Sequence, residues 1–233
     1  VLVRHNLKHI GVDDTYVLSE VKETAQSVIL YDPQGKRAIN VDLKDIQETA
    51  YPRKQVEQAM DDCSLAVLCN INFSRPMLEM AKQRHIPIAT DVHTIADIQD
   101  EYNSDFMRSA DILFMSDEAL PMPPEAWARN LQDQYGTEII VIGLGADGAL
   151  MAVKSEGYMS RIPALQLRPI QNTIGAGDAL FSAFIHTYSQ TRDPHEAIRK
   201  ATLFASYKIG ERGAAEGFLT PDRLQTFYDE IYG

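Results

Sequence analysis

Asn172-Thr173-Ile174-Gly175-Ala176-Gly177-Asp178 places two glycines and a carboxylate directly ahead of a run with helical periodicity. Residues 179 to 190 carry apolar side chains on one side and contain neither Pro nor Gly, so a glycine turn opens into a helix. The first N–H groups of a helix lack internal acceptors and sit at the positive end of its dipole. A glycine turn there admits a phosphate close to the backbone. Asp178 falls in the first helical turn, where a carboxylate can take the proton of a hydroxyl attacking that phosphate. Such a base contributes roughly 10²–10⁴-fold in rate. The bland alternative is that Thr173 or Asp178 only caps the helix, as isolated Thr and Asp residues commonly do.

The run as a whole resembles the second signature of the ribokinase-like (PfkB) carbohydrate kinases, D-T-x-G-A-G-D followed by small and apolar residues, with Asn at its first position. The likeness continues through Glu196-Ala197-Ile198-Arg199 to Glu211-Arg212-Gly213-Ala214, which is similar to that family's helix and its T-R-x-G-A turn. The resemblance implies an α/β fold, a ribokinase-like doubly wound and mainly parallel sheet flanked by helices, with a small β lid. It implies ATP-dependent transfer of a phosphoryl group to a sugar hydroxyl, with Mg²⁺ bridging the nucleotide phosphates. In that scheme Asp178 orients and deprotonates the hydroxyl, and the amides of Gly175, Ala176 and Gly177 stabilise the transferring group. Asn172 stands where the family usually carries an Asp that helps hold a monovalent cation. A neutral side chain weakens that role, which argues against potassium activation.

Three further stretches bear on nucleotide and substrate. Gly143-Leu144-Gly145-Ala146-Asp147-Gly148 follows an apolar strand pattern and fits G-x-G-x-x-G, so an NAD-binding oxidoreductase is the rival reading. Ala149 to Val153 is too short for the helix that reading requires, and a turn between strands explains the glycines equally well. By resemblance the 143–148 loop lies against ATP. Ser116-Asp117-Glu118-Ala119 occupies the place of the family's N-x-x-E near Mg²⁺ and the phosphates, with Ser116 for Asn and Ala119 for Glu. Asp117 or Glu118 is a substitute for the missing carboxylate, and a helix cap is the equal alternative. Thr202 matches a position that lies near the adenine in ribokinase, and is otherwise an ordinary helix-face residue. Asn70 and Asp91 fall at strand ends on the expected ligand side of such a sheet, as substrate contacts, with His93 a hydrogen-bonded loop histidine.

These groups need a scaffold of strands and helices to position them. Residues 1–10 are the end of an amphipathic helix stopped by Gly11, and β-rich runs come next at 15–21, 26–31 and 37–42, with Pro33-Gln34-Gly35 turning the last two into a hairpin. Residues 1–50 form this lid segment and 51–233 the nucleotide-binding core. Alternating strands are expected at 65–70, 87–91, 112–115 and 138–143, with helices at 76–84, 95–108 and 125–135. Strands at 149–153 and 158–162 lead to the glycine turn. Helices at 179–190, 194–208 and from Pro221 complete the chain.

At 233 residues, with a net charge of -11, the chain has ordinary globular composition and an acidic balance that argues against a nucleic-acid or anionic membrane footprint. Two cysteines, Cys63 and Cys69, fit a reducing cytoplasm, and no apolar run is long enough to span a bilayer. The family's first, glycine-rich signature is missing, as no Gly-Gly pair occurs. The segment that would hold it should precede Val1, so the sequence is expected to be a fragment of a longer chain, the alternative being a shortened relative with a changed substrate site. A non-catalytic nucleotide- or sugar-binding relative is the remaining rival, and within the kinase class a nucleoside, sugar phosphate or vitamin-like alcohol is an alternative acceptor. Lids of this kind pair between subunits, which makes a homodimer a hypothesis.

Overall fold

The computed structural model describes residues 2–31 and 37–233. Strands β1 (Gln26–Tyr31) and β2 (Arg37–Asp42) pair antiparallel from Gln26 opposite Asp42 to Tyr31 opposite Arg37, as a separate two-stranded sheet. The turn signal at Pro33-Gln34-Gly35 lies outside the described residues. Ahead of it, α1 (Leu2–His9) ends at Gly11 in the left-handed region, φ +78°. The strand expected at 15–21 is absent. Asp13 Oδ1 accepts from both the backbone N–H of Thr15, at 2.9 Å, and its hydroxyl, and Val17 N–H bonds back to Asp14 O at 3.0 Å. These local bonds turn the chain where β-propensity would extend it.

The core opens with α2 (Arg53–Ala59), a helix the sequence reading does not contain. There follow β3 (Ala66–Val67), α3 (Arg75–Gln83), β4 (Ile88–Asp91), α4 (Ser104–Ser109), β5 (Ile112–Ser116), α5 (Pro124–Tyr135) and β6 (Ile139–Gly143). Strands β7 (Ala149–Val153) and β8 (Tyr158–Ile162) precede α6 (Ala176–Thr191), α7 (Pro194–Lys208) and α8 (Pro221–Tyr232). Two expected elements shrink. Strand β3 stops early because the chain folds on itself at Cys69, with Ile71 N–H bonded to Cys69 O at 2.8 Å. The helix expected over 95–108 survives only as α4. Asp97 Oδ1 captures Gln99 N–H at 2.8 Å and Asp100 Oδ1 captures Asn103 N–H at 2.7 Å, which diverts the backbone into turns.

The main sheet runs β3-β4-β5-β6-β7-β8, with β3 to β6 parallel and β7 and β8 antiparallel. Its central strands β5 and β6 are apolar and buried up to their last residues, Ser116 and Gly143, because both faces are covered. Leu113, Met115, Ile140, Ile142, Leu150 and Ala152 pack with α2 to α5 around the fully buried Phe106, Met107 and Leu131. The alternate residues Ile112, Phe114, Ile139, Val141, Ala149 and Met151 pack under α6, α7 and α8. The C-terminal ends of β3 to β6 and the N-terminus of α6 open at the same edge, where an α/β sheet binds ligands.

Candidate active site

Gly175 takes φ +76° and precedes the first residue of α6. A Cβ there would lie 3.0 Å from Ala214 O and 3.3 Å from Lys208 Cε, so both the backbone conformation and the close neighbour require glycine. The turn closes through Ala176 N–H to Thr173 O, 3.1 Å, and Ala179 N–H to Gly175 O, 3.0 Å. That settles which amides face outward. Ala176, expected among the anion-binding amides, is already committed inside the turn. Among the described residues, Gly175, Gly177 and Asp178 have backbone N–H groups with no acceptor. Gly177 and Asp178 are exposed, and no atom lies within 4 Å of a Cβ added to Gly177. The result is an accessible anion seat with a carboxylate on its rim.

Asn172 holds that turn from behind. Its Oδ1 accepts from Ile174 N–H at 2.9 Å and its Nδ2 donates to Arg212 O at 3.2 Å. The backbone N–H groups of Gln171 and Asn172 bond Ile209 O at 2.8 and 3.2 Å. Both halves of the signature that the sequence links across α6 and α7 therefore meet in space. The loop after α7 is braced by Arg168, which sequence reading missed. Its guanidinium lies 3.9 Å from the centre of the Tyr207 ring, Nε donates to Tyr207 O at 2.7 Å, and one terminal nitrogen pairs with Glu211 at 2.8 Å. No motif marks Arg168; only the fold brings it to Gly210, where an added Cβ would meet its Nε at 2.1 Å.

Across the crevice, Asp91 ends β4. Burial pushes its carboxyl above the usual range, His93 opposes this, and the Asp178 carboxylate adds to it. Cys69 behaves likewise, its thiol pushed up by the surrounding protein and then by Asp91 and Asp178. The Asp178 charge is thus felt at both Asp91 and Cys69. Asp91 Oδ1 accepts from His93 N–H at 2.8 Å, and His93 takes φ +59°, a conformation non-glycine residues seldom adopt. Its carbonyl accepts from Ser116 N–H at 2.6 Å. Asn70 is less free than expected. Its Nδ2 donates to Asn103 Oδ1 at 2.9 Å and its carbonyl accepts from the Tyr102 hydroxyl at 2.9 Å, so the side-chain amide nitrogen is structural.

The 143–148 segment is the connection of an antiparallel hairpin, since β7 returns beside β6. No helix follows it. The dinucleotide-binding reading fails on that topology. Leu144 N–H bonds Gly148 O at 2.8 Å, Gly145–Asp147 form one 3₁₀ turn, and Gly148 has φ +96° with Ile162 O only 2.0 Å from a would-be Cβ. Leu144 is buried, which leaves Gly145, Ala146 and Asp147 as the outward-facing part of the loop. Asp117 N–H reaches Gly143 O at 3.0 Å, and Ser116 Oγ accepts from Glu118 N–H at 3.3 Å, so the Ser116 hydroxyl acts as a turn cap. Burial first, then Glu118 and Asp147, raise the Asp117 carboxyl, while Arg161 lowers it. Arg161 in turn pairs with Glu125 at 2.7 Å. Thr202, the expected adenine neighbour, is 3% exposed and its hydroxyl bonds Ile198 O at 2.9 Å, so that hydroxyl is engaged within α7.

Residues 2–221 match the pfkB family of carbohydrate kinases. The chain belongs to that family. Among curated PfkB relatives and neighbours, a deoxyribokinase of Salmonella typhi is 30% identical over 102 residues, 44% of this chain and 32% of its own length. An ATP-dependent ribose-1-phosphate kinase of Halopiger xanaduensis is 24% identical across 100% of this chain and 77% of its own. The chain thus spans about a third of the length of the deoxyribokinase it matches. In fold, the PfkB chain superposes on the microbiome-derived acarbose kinase Mak1 with a TM-score of 0.84 at 22% identity, covering 97% of this chain and 75% of that one. Ribokinase from Thermotoga maritima gives 0.76 at 19% identity, covering 98% and 76%.

Proposed function

We propose that this PfkB chain transfers the γ-phosphoryl group of ATP to a sugar hydroxyl. The observation that carries the reading is the group of acceptor-free amides at Gly175, Gly177 and Asp178, the last two exposed, beside the Asp178 carboxylate, whose charge is felt at Asp91. Asp178 takes the proton of the acceptor hydroxyl as its oxygen bonds the γ-phosphorus. The bond from that phosphorus to the β-bridging oxygen breaks, and ADP leaves with the electron pair. Charge on the transferring group falls on the turn amides, whose orientation is fixed before reaction and so costs little to reorganise.

Asp91 orients the acceptor. Gly145, Ala146 and Asp147 line the nucleotide, with Ser116, Gly143, Leu144, Gly148 and Thr173 shaping the backbone around it. Among the described residues no group of three or more His, Cys, Asp or Glu side chains could hold a metal ion. Mg²⁺ keeps its waters and would arrive with the nucleotide phosphates, supplying charge neutralisation at the phosphoryl oxygens. Asp117 and Asp147 are the residues that would meet it. The relatives' names, a deoxyribokinase and a ribose-1-phosphate kinase, favour a pentose-type acceptor. The hairpin β1-β2 closes over that acceptor and excludes water, and pairs with a second copy in a homodimer. No helix among the described residues is long and apolar enough to cross a membrane. A cytoplasmic site of action fits small phosphorylatable sugars and the unpaired Cys63 and Cys69.

The test is ADP release with Mg²⁺-ATP across a panel of pentoses, hexoses, sugar phosphates and nucleosides, with Asp178→Ala alongside. We expect turnover with one acceptor class and a loss of about 10³-fold in the variant. Equal rates in the two proteins would remove Asp178 from the chemistry.

A further inference from the structure

Lys208 is the last residue of α7 and is 0% exposed. Among the described residues no carboxylate pairs with it. Its Nζ donates to Gly213 O at 2.7 Å, and its Cε stands 3.3 Å from the position of a Cβ on Gly175. A lysine is seldom fully buried without a carboxylate partner, and here one carbonyl is its hydrogen-bond acceptor. The nearest functional feature is the anion seat, which lies on the opposite side of the same turn.

Carbonyls of consecutive residues behind the turn are taken by two side chains of this chain. Arg212 O accepts from Asn172 and Gly213 O from Lys208. The family resemblance implies a monovalent cation at this place, and the residues present do not fit one. Asn172 is neutral, its oxygen is already bonded to Ile174 N–H, and a fixed positive charge is next door.

We infer that Lys208 is a positioning residue whose ammonium supplies, from within the chain, the positive charge behind the phosphoryl-binding turn. The bound phosphoryl group is the counter-charge it lacks in the empty protein. It also holds the 209–214 loop against Gly175. Activity should then be indifferent to the monovalent cation in solution. This inference rests on the kinase reading for its chemistry, but its test does not.

Mg²⁺-AMP-PNP binding is measured by calorimetry for wild type, Lys208→Met and Asp178→Asn, each in Na⁺ and in K⁺, with turnover measured in the same salts. Lys208→Met is expected to bind at least about tenfold more weakly and to lose about 10²-fold or more in kcat, the scale of one lost charge-stabilising group. Asp178→Asn should keep its affinity. Wild-type binding and turnover should agree within about twofold between the salts, whereas a purely structural lysine gives no reason for salt indifference. Wild-type affinity in Lys208→Met, or wild-type turnover that rises more than about fivefold in K⁺, overturns the inference. If Lys208→Met does not fold, wild-type AMP-PNP binding decides alone: equal affinity in both salts supports the built-in charge, and dependence on K⁺ overturns it. Absence of turnover with any acceptor, together with the tenfold loss of binding, sinks the kinase reading and leaves Lys208 in its role.

Discussion

In the proposed reaction Asp91 and Asp178 divide the chemistry of the crevice between them. Asp178 is exposed and stands beside free amides, while Asp91 is pressed by burial and by Asp178 toward its protonated form. Because the folded state holds the Asp91 proton more tightly than the unfolded chain, its contribution to stability is full below the ordinary carboxylate range. It is lost as pH rises through the folded value. Asp91→Asn keeps the acceptor for His93 N–H and removes the ionisation. We expect a melting temperature at pH 7 about 2 °C or more above wild type, a flatter stability profile in the acid range, and acceptor turnover down at least about tenfold. Thermal melts across pH with parallel kinetics check both halves, and an acid-range profile unchanged from wild type would contradict the account of Asp91. The glycine turn opening into α6 was legible because two glycines stand directly ahead of an uninterrupted helical run. Lys208 and Arg168 were not, since each sits in an ordinary helical or loop context and acquires its role from a neighbour across the fold.

Among elements, those with strong internal signals came through. The alternation of strands and helices gave β4, β5 and β6, and the helix expected at 125–135 is α5. Failures concentrate where short polar side chains compete with the backbone, at Asp13, Asp97 and Asp100, and where β3 yields to a turn at Cys69. The β6-β7 hairpin shows why a motif must be read together with the element after it. The glycine pattern of 143–148 fits a phosphate loop of another fold, yet Ala149–Val153 returns as a strand. Gly148 makes this element testable. Its φ of +96° and the 2.0 Å approach to Ile162 O leave no room for a methyl group. Gly148→Ala should destabilise the protein by about 3 kcal/mol or more, measured by denaturant unfolding. A loss below about 1 kcal/mol would mean the loop relaxes, and its rigidity would no longer explain nucleotide positioning.

The whole molecule is a six-stranded sheet with packed helices on both faces and a two-stranded hairpin standing apart. Val28 and Leu30 on one face of the hairpin are 59% and 57% exposed, and Ile39 and Val41 on the other are 49% and 54% exposed. An isolated hairpin with apolar residues on both faces is marginal in water. The proposed reading gives one face to the crevice and one to a second copy. Light scattering at micromolar concentration should therefore report twice the 26.1 kDa chain mass, and Val41→Asp should return it to a monomer. A wild-type monomer would remove the pairing from the account.

The central claim is that the amide seat and Asp178 act together on a phosphoryl group. Mass-spectrometric detection of the phosphorylated acceptor, with Mg²⁺-ATP and wild type or Asp178→Asn, tests it most directly. The account predicts a product heavier by one phosphoryl group, formed about 10³-fold more slowly by the variant, while AMP-PNP affinity stays within about threefold. Product formed by the variant at the wild-type rate would contradict it.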